Sequence, residues 1–327
     1  MYNFIYRKRV LQIILAVAIA AFMVARLMLA PAIFYKPHVP TLLYPVLYDF
    51  FLPHPIGFRI ALALFIAIQV FVFQEFISRH NFLDSASLMP VIWFLFFSLF
   101  TSDFPAFSQS LLLNFLIIIL LSLNINSLNS SNEDNRRHVF WAGFIVAMAT
   151  LVEPAAILLF FIICAALITG KTNFLKRLCL ALTGLFMPFL YIAVIFFLTG
   201  RMTILIDYFY RQQFFAFLFI DCKPAIFIAF CIVFLLTLLY TLPALKLYYD
   251  NRVILLRKKF LIVNITFLIV LLIVLTGNHS FTAGLPYLVV PFSIYFSMLC
   301  QLRRNRITTD ILMTAFVVII LLIKILA

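Results

Sequence analysis

The chain has 327 residues, of which 66% are hydrophobic and 11% charged, with a mean hydropathy of +1.18. Soluble domains are about 45–50% apolar and about 25% charged, so this composition predicts an all-α polytopic membrane protein. The net charge of +13 does not mark a nucleic-acid binder, because the basic residues sit in short loops between apolar runs and never interleave with aromatics on a polar surface.

In chain order, Arg7, Lys8 and Arg9 precede the first apolar segment, 10–34, which has no small-residue cleavage site and is read as a retained signal-anchor helix. Further apolar segments are expected at 58–77, 83–100 and 107–123. The run Ser122 to Asn135 is rich in Asn and Ser and reads as a solvated loop. Thirty-two residues then separate His138 from Lys171 with a single charge, Glu153, followed by Pro154. As one helix they would extend about 48 Å, against a hydrocarbon core of about 30 Å. The expectation is therefore a re-entrant pair, 139–151 and 155–168, turning at Glu153-Pro154. Segments at 178–198, 225–242, 260–276, 286–302 and 308–326 complete one integral membrane domain of nine spans and one re-entrant pair.

Charge placement fits this map. With the N-terminus cytoplasmic, 17 of the 24 Lys and Arg residues are inside, including the clusters at 7–9, 136–137, 257–259 and 303–306. Five are outside: Lys36, Arg59, Arg201, Arg211 and Lys223. That asymmetry is the positive-inside pattern, and a single crossing at 139–170 would invert everything downstream.

Ionisable groups at membrane depth or on the outer face are the candidate site residues. Glu153 is either the cap of the helix that follows, with Pro154 at its first position, or a cavity residue. Asp49, in the outer segment 35–57, is a general-base candidate or an ordinary loop acid. Asp103 has the signature of a helix N-cap. The outer segment 199–224 is an aromatic, amphipathic stretch suited to lie along the interface. Its Arg201, Arg211 and Lys223 run against the positive-inside bias and are suited to bind a phosphate, or else pair with Asp207 and Asp221. His279 lies in the polar outer loop 277–285. Arg26, within the first span, either snorkels or pairs with an acid such as Glu153. Cys164, Cys179, Cys222, Cys231 and Cys300 show no CxxC spacing, so neither a metal nor a disulfide framework is expected. The 41 Phe residues read as packing and lipid-facing material, with no cofactor box among them.

The stretch from Trp141 to Ala156, with Gly143, Ala147 and Glu153-Pro154, resembles the re-entrant hairpin of the GT-C superfamily of glycosyltransferases that use lipid-linked sugars. In it Ala147 stands where a second Gly is frequent. The resemblance implies an outer cavity above the hairpin and transfer or handling of a polyprenyl-phosphate-linked sugar. Asp49 would then be the base, Arg201 and Arg211 would hold the phosphate and Glu153 would shape the cavity floor. The chain departs from the pattern in having Asp49 alone rather than an acidic pair, and no large outer C-terminal domain. The stretch 73–123, with Leu88-Met89-Pro90 and Leu113-Asn114, is similar to a family of Bacteroidetes polytopic inner-membrane proteins that brings no established activity. Two other classes stay open: a non-catalytic scaffold or assembly factor for envelope biogenesis, and a lipid flippase or transporter built on Glu153 and Arg26.

Overall fold

The computed structural model describes residues 9–29, 55–80, 82, 87–101, 108–129, 132–170, 173–200, 202–203, 205–206, 227–235, 254–277, 281–301 and 306–326. Every element among them is helical. In chain order they are α1 (Arg9–Leu29), α2 (Pro55–His80), α3 (Met89–Thr101), α4 (Gln109–Asn129), α5 (Asn132–Val152), a 3-10 segment (Pro154–Leu159) leading into α6 (Phe160–Thr169), and α7 (Phe174–Leu198). Then come α8 (227–235), α9 (Ile254–Thr276), a helical turn (Phe281–Gly284) with a 3-10 turn (Leu285–Leu288) leading into α10 (Val289–Gln301), and α11 (Arg306–Leu326). Each of the eleven expected apolar segments contains described helix.

Five of these helices, α1, α2, α4, α7 and α9, are long and apolar enough to cross a membrane. Their outward faces carry large apolar side chains, such as Ile13, Ile14, Ile60, Leu64, Phe186 and Leu190. In lipid that exposure carries no penalty, because acyl chains are as apolar as leucine. The polytopic, all-helical class read from composition therefore stands.

The polar run at 122–135 is corrected. Ser122 to Asn129 continue α4 and Asn132 opens α5, with Asn124, Ser127 and Asn135 buried. The Ser127 hydroxyl donates to the Asn124 carbonyl (2.7 Å), so the polar side chain is satisfied by its own helix rather than by water. Helix likewise extends beyond the apolar boundary at α7 and α9. Lys176 and Arg177 lie in the first turn of α7, and Arg257, Lys258 and Lys259 in the first turns of α9.

α5 lies at the centre, packed on α4 and still more closely on α7. The α5–α7 seam depends on two glycines. A Cβ added to Gly143 would meet the Ala181 carbonyl oxygen at 2.1 Å, and one added to Gly184 would meet the Phe140 carbonyl oxygen at 2.2 Å. The two backbones approach closely only because neither residue has a side chain. Arg136 is the charged neighbour of Arg177, seven residues before each glycine. The register thus advances in the same sense along both helices, and α5 and α7 run parallel. Residues 153–173 must bring the chain back to the level at which α5 began. The remaining core is aromatic: Phe97 on α3 meets Phe296 (5.2 Å between ring centres) and Phe292 (5.8 Å) on α10, and both of these meet Phe316 on α11. Such pairs supply packing energy where no hydrophobic drive exists between helices.

Candidate functional site

The chain breaks at Glu153. Its N–H still donates to the Ala149 carbonyl (2.8 Å), ending the α5 ladder, while its own carbonyl accepts from the Ala156 N–H (2.9 Å), opening the 3-10 segment. Between these bonds the backbone is extended, φ −139° and ψ 114°, the conformation that a following proline imposes. Pro154 then occupies a first helical position, where no N–H is needed. Glu153 therefore holds the N-cap position expected of it, but its carboxylate makes no capping hydrogen bond of normal geometry.

The carboxylate turns to another partner. The Tyr287 hydroxyl donates to Glu153 Oε2 at 3.1 Å, across 134 residues of chain. Both side chains are buried, with Glu153 2% exposed. A carboxyl group removed from water is costly unless hydrogen-bonded, and the phenol meets that need. No ion pair joins Glu153 to Arg26, which lies half-buried on α1, a helix packed chiefly on α3.

Tyr287 is itself held in place. It sits in the 3-10 turn Leu285–Leu288, and the amide of Asn114, on α4, donates to the carbonyl of the adjacent Pro286 (2.8 Å). Further along the same level, the Gln69 amide on α2 donates to the Leu111 carbonyl on α4. Three buried polar side chains, Gln69, Asn114 and Tyr287, thus tie α2, α4, the turn before α10 and the α5–α6 break together. Two of the three bonds end on backbone carbonyls in the first turn of α4 and in a 3-10 turn. With both side chains buried, the Glu153–Tyr287 bond latches the break.

Asp49, Arg201, Arg211, Lys223 and His279 lie outside the described residues, as do Asp103, Asp207, Asp221 and Cys222. Among the described cysteines, Cys300 is buried, Cys164 half-buried, and Cys179 and Cys231 exposed, all as free thiols. Tyr287, Gln69 and Gly184 are not singled out by the sequence, and Asn114 enters only as part of the Leu113-Asn114 motif, with no role attached. Each stands in a run that reads simply as apolar span, and its role depends on a partner 40 or more residues away in the chain.

No family model, curated protein or solved structure matches this chain.

Proposed function

We propose that the chain is a bacterial inner-membrane protein of GT-C-like architecture that transfers or handles a polyprenyl-phosphate-linked sugar at the extracytoplasmic face. The observation that carries this reading is the latched break at Glu153 between the parallel helices α5 and α7. A chain that enters, turns at a buried acid and returns is the re-entrant pair that the resemblance implies. The apolar part of α5 rises about 21 Å, and the 3-10 segment with α6 about 27 Å, each short of a core about 30 Å thick. Together with the positive-inside charge asymmetry, that turn supports nine spans, a cytoplasmic N-terminus and outward-facing segments at 35–57, 199–224 and 277–285.

In this reading the Asp49 carboxylate takes the proton of an acceptor hydroxyl, and the freed oxygen attacks the anomeric carbon of the sugar. The bond from that carbon to the phosphate oxygen breaks. The departing polyprenyl phosphate keeps the electron pair, stabilised by Arg201, Arg211 and Lys223. His279, in the last outer segment, is the remaining candidate for contact with the substrate, and Glu153 would shape the floor of the cavity. The test is complementation of a deletion strain, with sugar transfer followed in membranes. Asp49→Asn is expected to lower transfer by 100-fold or more, on the order of what a positioned general base supplies. Retained transfer in that variant overturns the assignment.

One observation favours a second reading, a non-catalytic scaffold in envelope biogenesis. The acid at membrane depth is sealed and serves the fold. Full complementation by both Asp49→Asn and an Arg201→Ala/Arg211→Ala double variant is the outcome that selects it. A flippase or transporter built on Arg26 and Glu153 lacks the ion pair on which it rests.

A further inference from the structure

α2 ends about 16 Å of helix rise beyond Gln69, and there Arg79 and His80 meet the first turns of α9. The Lys259 Nζ donates to the His80 carbonyl (3.2 Å), across 179 residues of chain, and so caps α2 at the negative pole of its dipole. That bond uses one of three ammonium N–H groups, and a carbonyl brings no formal charge. Lys259 is 6% exposed, and no carboxylate pairs with it among the described residues. A buried cation without a counter-ion is costly. The first turn of α9 holds no acid, and Arg257, Lys258 and Lys259 follow one another against the positive pole of that helix.

His80, 2% exposed, adds an independent demand. Its ring lies edge-on to Phe76 (5.2 Å between ring centres) and Phe82 (6.2 Å). Phe82 in turn meets Phe260 (5.2 Å), the neighbour of Lys259 in the chain. The buried Nε2 of His80 makes no hydrogen bond. The charged groups that act on this ring are Lys259 and Arg79, and both are donors only. As an N–H, Nε2 lacks an acceptor. Lys259, His80 and Arg79 thus share one need, an oxygen that accepts and carries negative charge.

We propose that the junction of α2 and α9 is a binding site for one phosphate group, with Lys259 and His80 at its base and the exposed Arg79 at its rim. Two sources present that group. The junction joins the ends of two helices of membrane length, at the end that the charge pattern makes cytoplasmic, and the phosphates of anionic phospholipids stand at that level. A soluble phosphate compound offers the same oxygens. The proposal is independent of the chemistry assigned to Asp49, and its test does not read transfer.

The full chain in neutral detergent is titrated with phosphatidylglycerol, with diacylglycerol of the same acyl chains and with inorganic phosphate, and bound copies are counted by native mass spectrometry. One phosphatidylglycerol is expected to bind about tenfold more tightly than diacylglycerol. Lys259→Met is expected to remove that difference, and His80→Phe, which keeps the ring packing, to reduce it about threefold. Arg137→Met, at an exposed cation elsewhere, is expected to change it less than about twofold. Should Lys259→Met not fold, Arg79→Met takes its place, with a loss of about threefold expected. Binding of inorganic phosphate alone, lost in the same variants, assigns the site to a soluble compound. Absence of binding by either probe overturns the proposal, as does binding that these variants leave unchanged. Asp84 lies outside the described residues. If Asp84→Asn creates phosphate binding that the parent lacks, the counter-ion of Lys259 belongs to the chain itself and the proposal fails.

Discussion

The α5–α7 seam and the α1–α2 margin solve the same problem in opposite ways. Both pairs are largely apolar, and in lipid that supplies no drive for helices to associate. At the first seam Gly143 and Gly184 remove their side chains, and backbone meets backbone. At the second, alanines also shorten the side chains, yet the helices stay apart and a groove remains over α3. The difference lies in reciprocity. Gly143 and Gly184 each lie against the other's helix at a backbone carbonyl, so each deletion is matched by its partner. Ala20, Ala63 and Ala67 face an opening, and their shortness makes space rather than contact.

That contrast is open to mutation. The largest effect belongs to the seam: Gly143→Leu or Gly184→Leu is expected to abolish folded protein in mild detergent, read by fluorescence-detected gel filtration. Gly143→Ala is expected to cost on the order of 1–3 kcal/mol in thermal or denaturant unfolding, because the obstructing atom is backbone and has nowhere to go. Ala63→Leu, in the groove, should stay within about 0.5 kcal/mol of the parent. A Gly143→Ala protein as stable as the Ala63→Leu protein would erase the distinction between the two regions.

The latch comes next. Tyr287→Phe removes the phenol donor from the buried Glu153 carboxyl and is expected to cost about 1–2 kcal/mol. Glu153→Gln keeps an acceptor for the phenol and should cost less than Glu153→Ala. A double-mutant cycle between Tyr287→Phe and Glu153→Ala is expected to give a coupling of roughly 0.5–1.5 kcal/mol, and additive losses would show that the bond contributes nothing. The smallest effect is Asn114→Ala, at about 0.6 kcal/mol, the average for polar contacts between membrane helices.

Much of the architecture was legible in the sequence because the bilayer imposes a coarse rule. Long apolar runs become helices, and Glu153-Pro154 had to interrupt one of them. The helix ends were less legible. Ser122 to Asn129 and Arg257 to Lys259 look like loop, yet they continue helices, since a Ser or Lys side chain is tolerated where its own helix or a neighbouring carbonyl can satisfy it. Lys259 does so by donating to the His80 carbonyl at 3.2 Å. Within the candidate site, Glu153 stood out because a lone charge in apolar surroundings is conspicuous. Tyr287 did not, because a tyrosine beside Pro286 at the start of an apolar segment is ordinary. Its meaning lies in a bond that spans 134 residues, and no local pattern encodes such a bond.

The parallel run of α5 and α7 also constrains how the protein is made. Neither the apolar part of α5 nor the return segment through α6 is long enough to be stable as a lone crossing. If residues 139–169 form the re-entrant pair proposed above, this stretch has no self-sufficient place in the bilayer as the chain emerges during synthesis. It acquires one when α7 arrives and Gly184 closes on Gly143, and the break is latched only after Tyr287, more than 130 residues later, has been synthesised. A chain truncated before α7 is therefore expected to be recognised as unfinished and degraded, whereas one truncated after α7 but before Tyr287 persists with its turn unlatched, a difference that pulse–chase labelling of the two truncations would register.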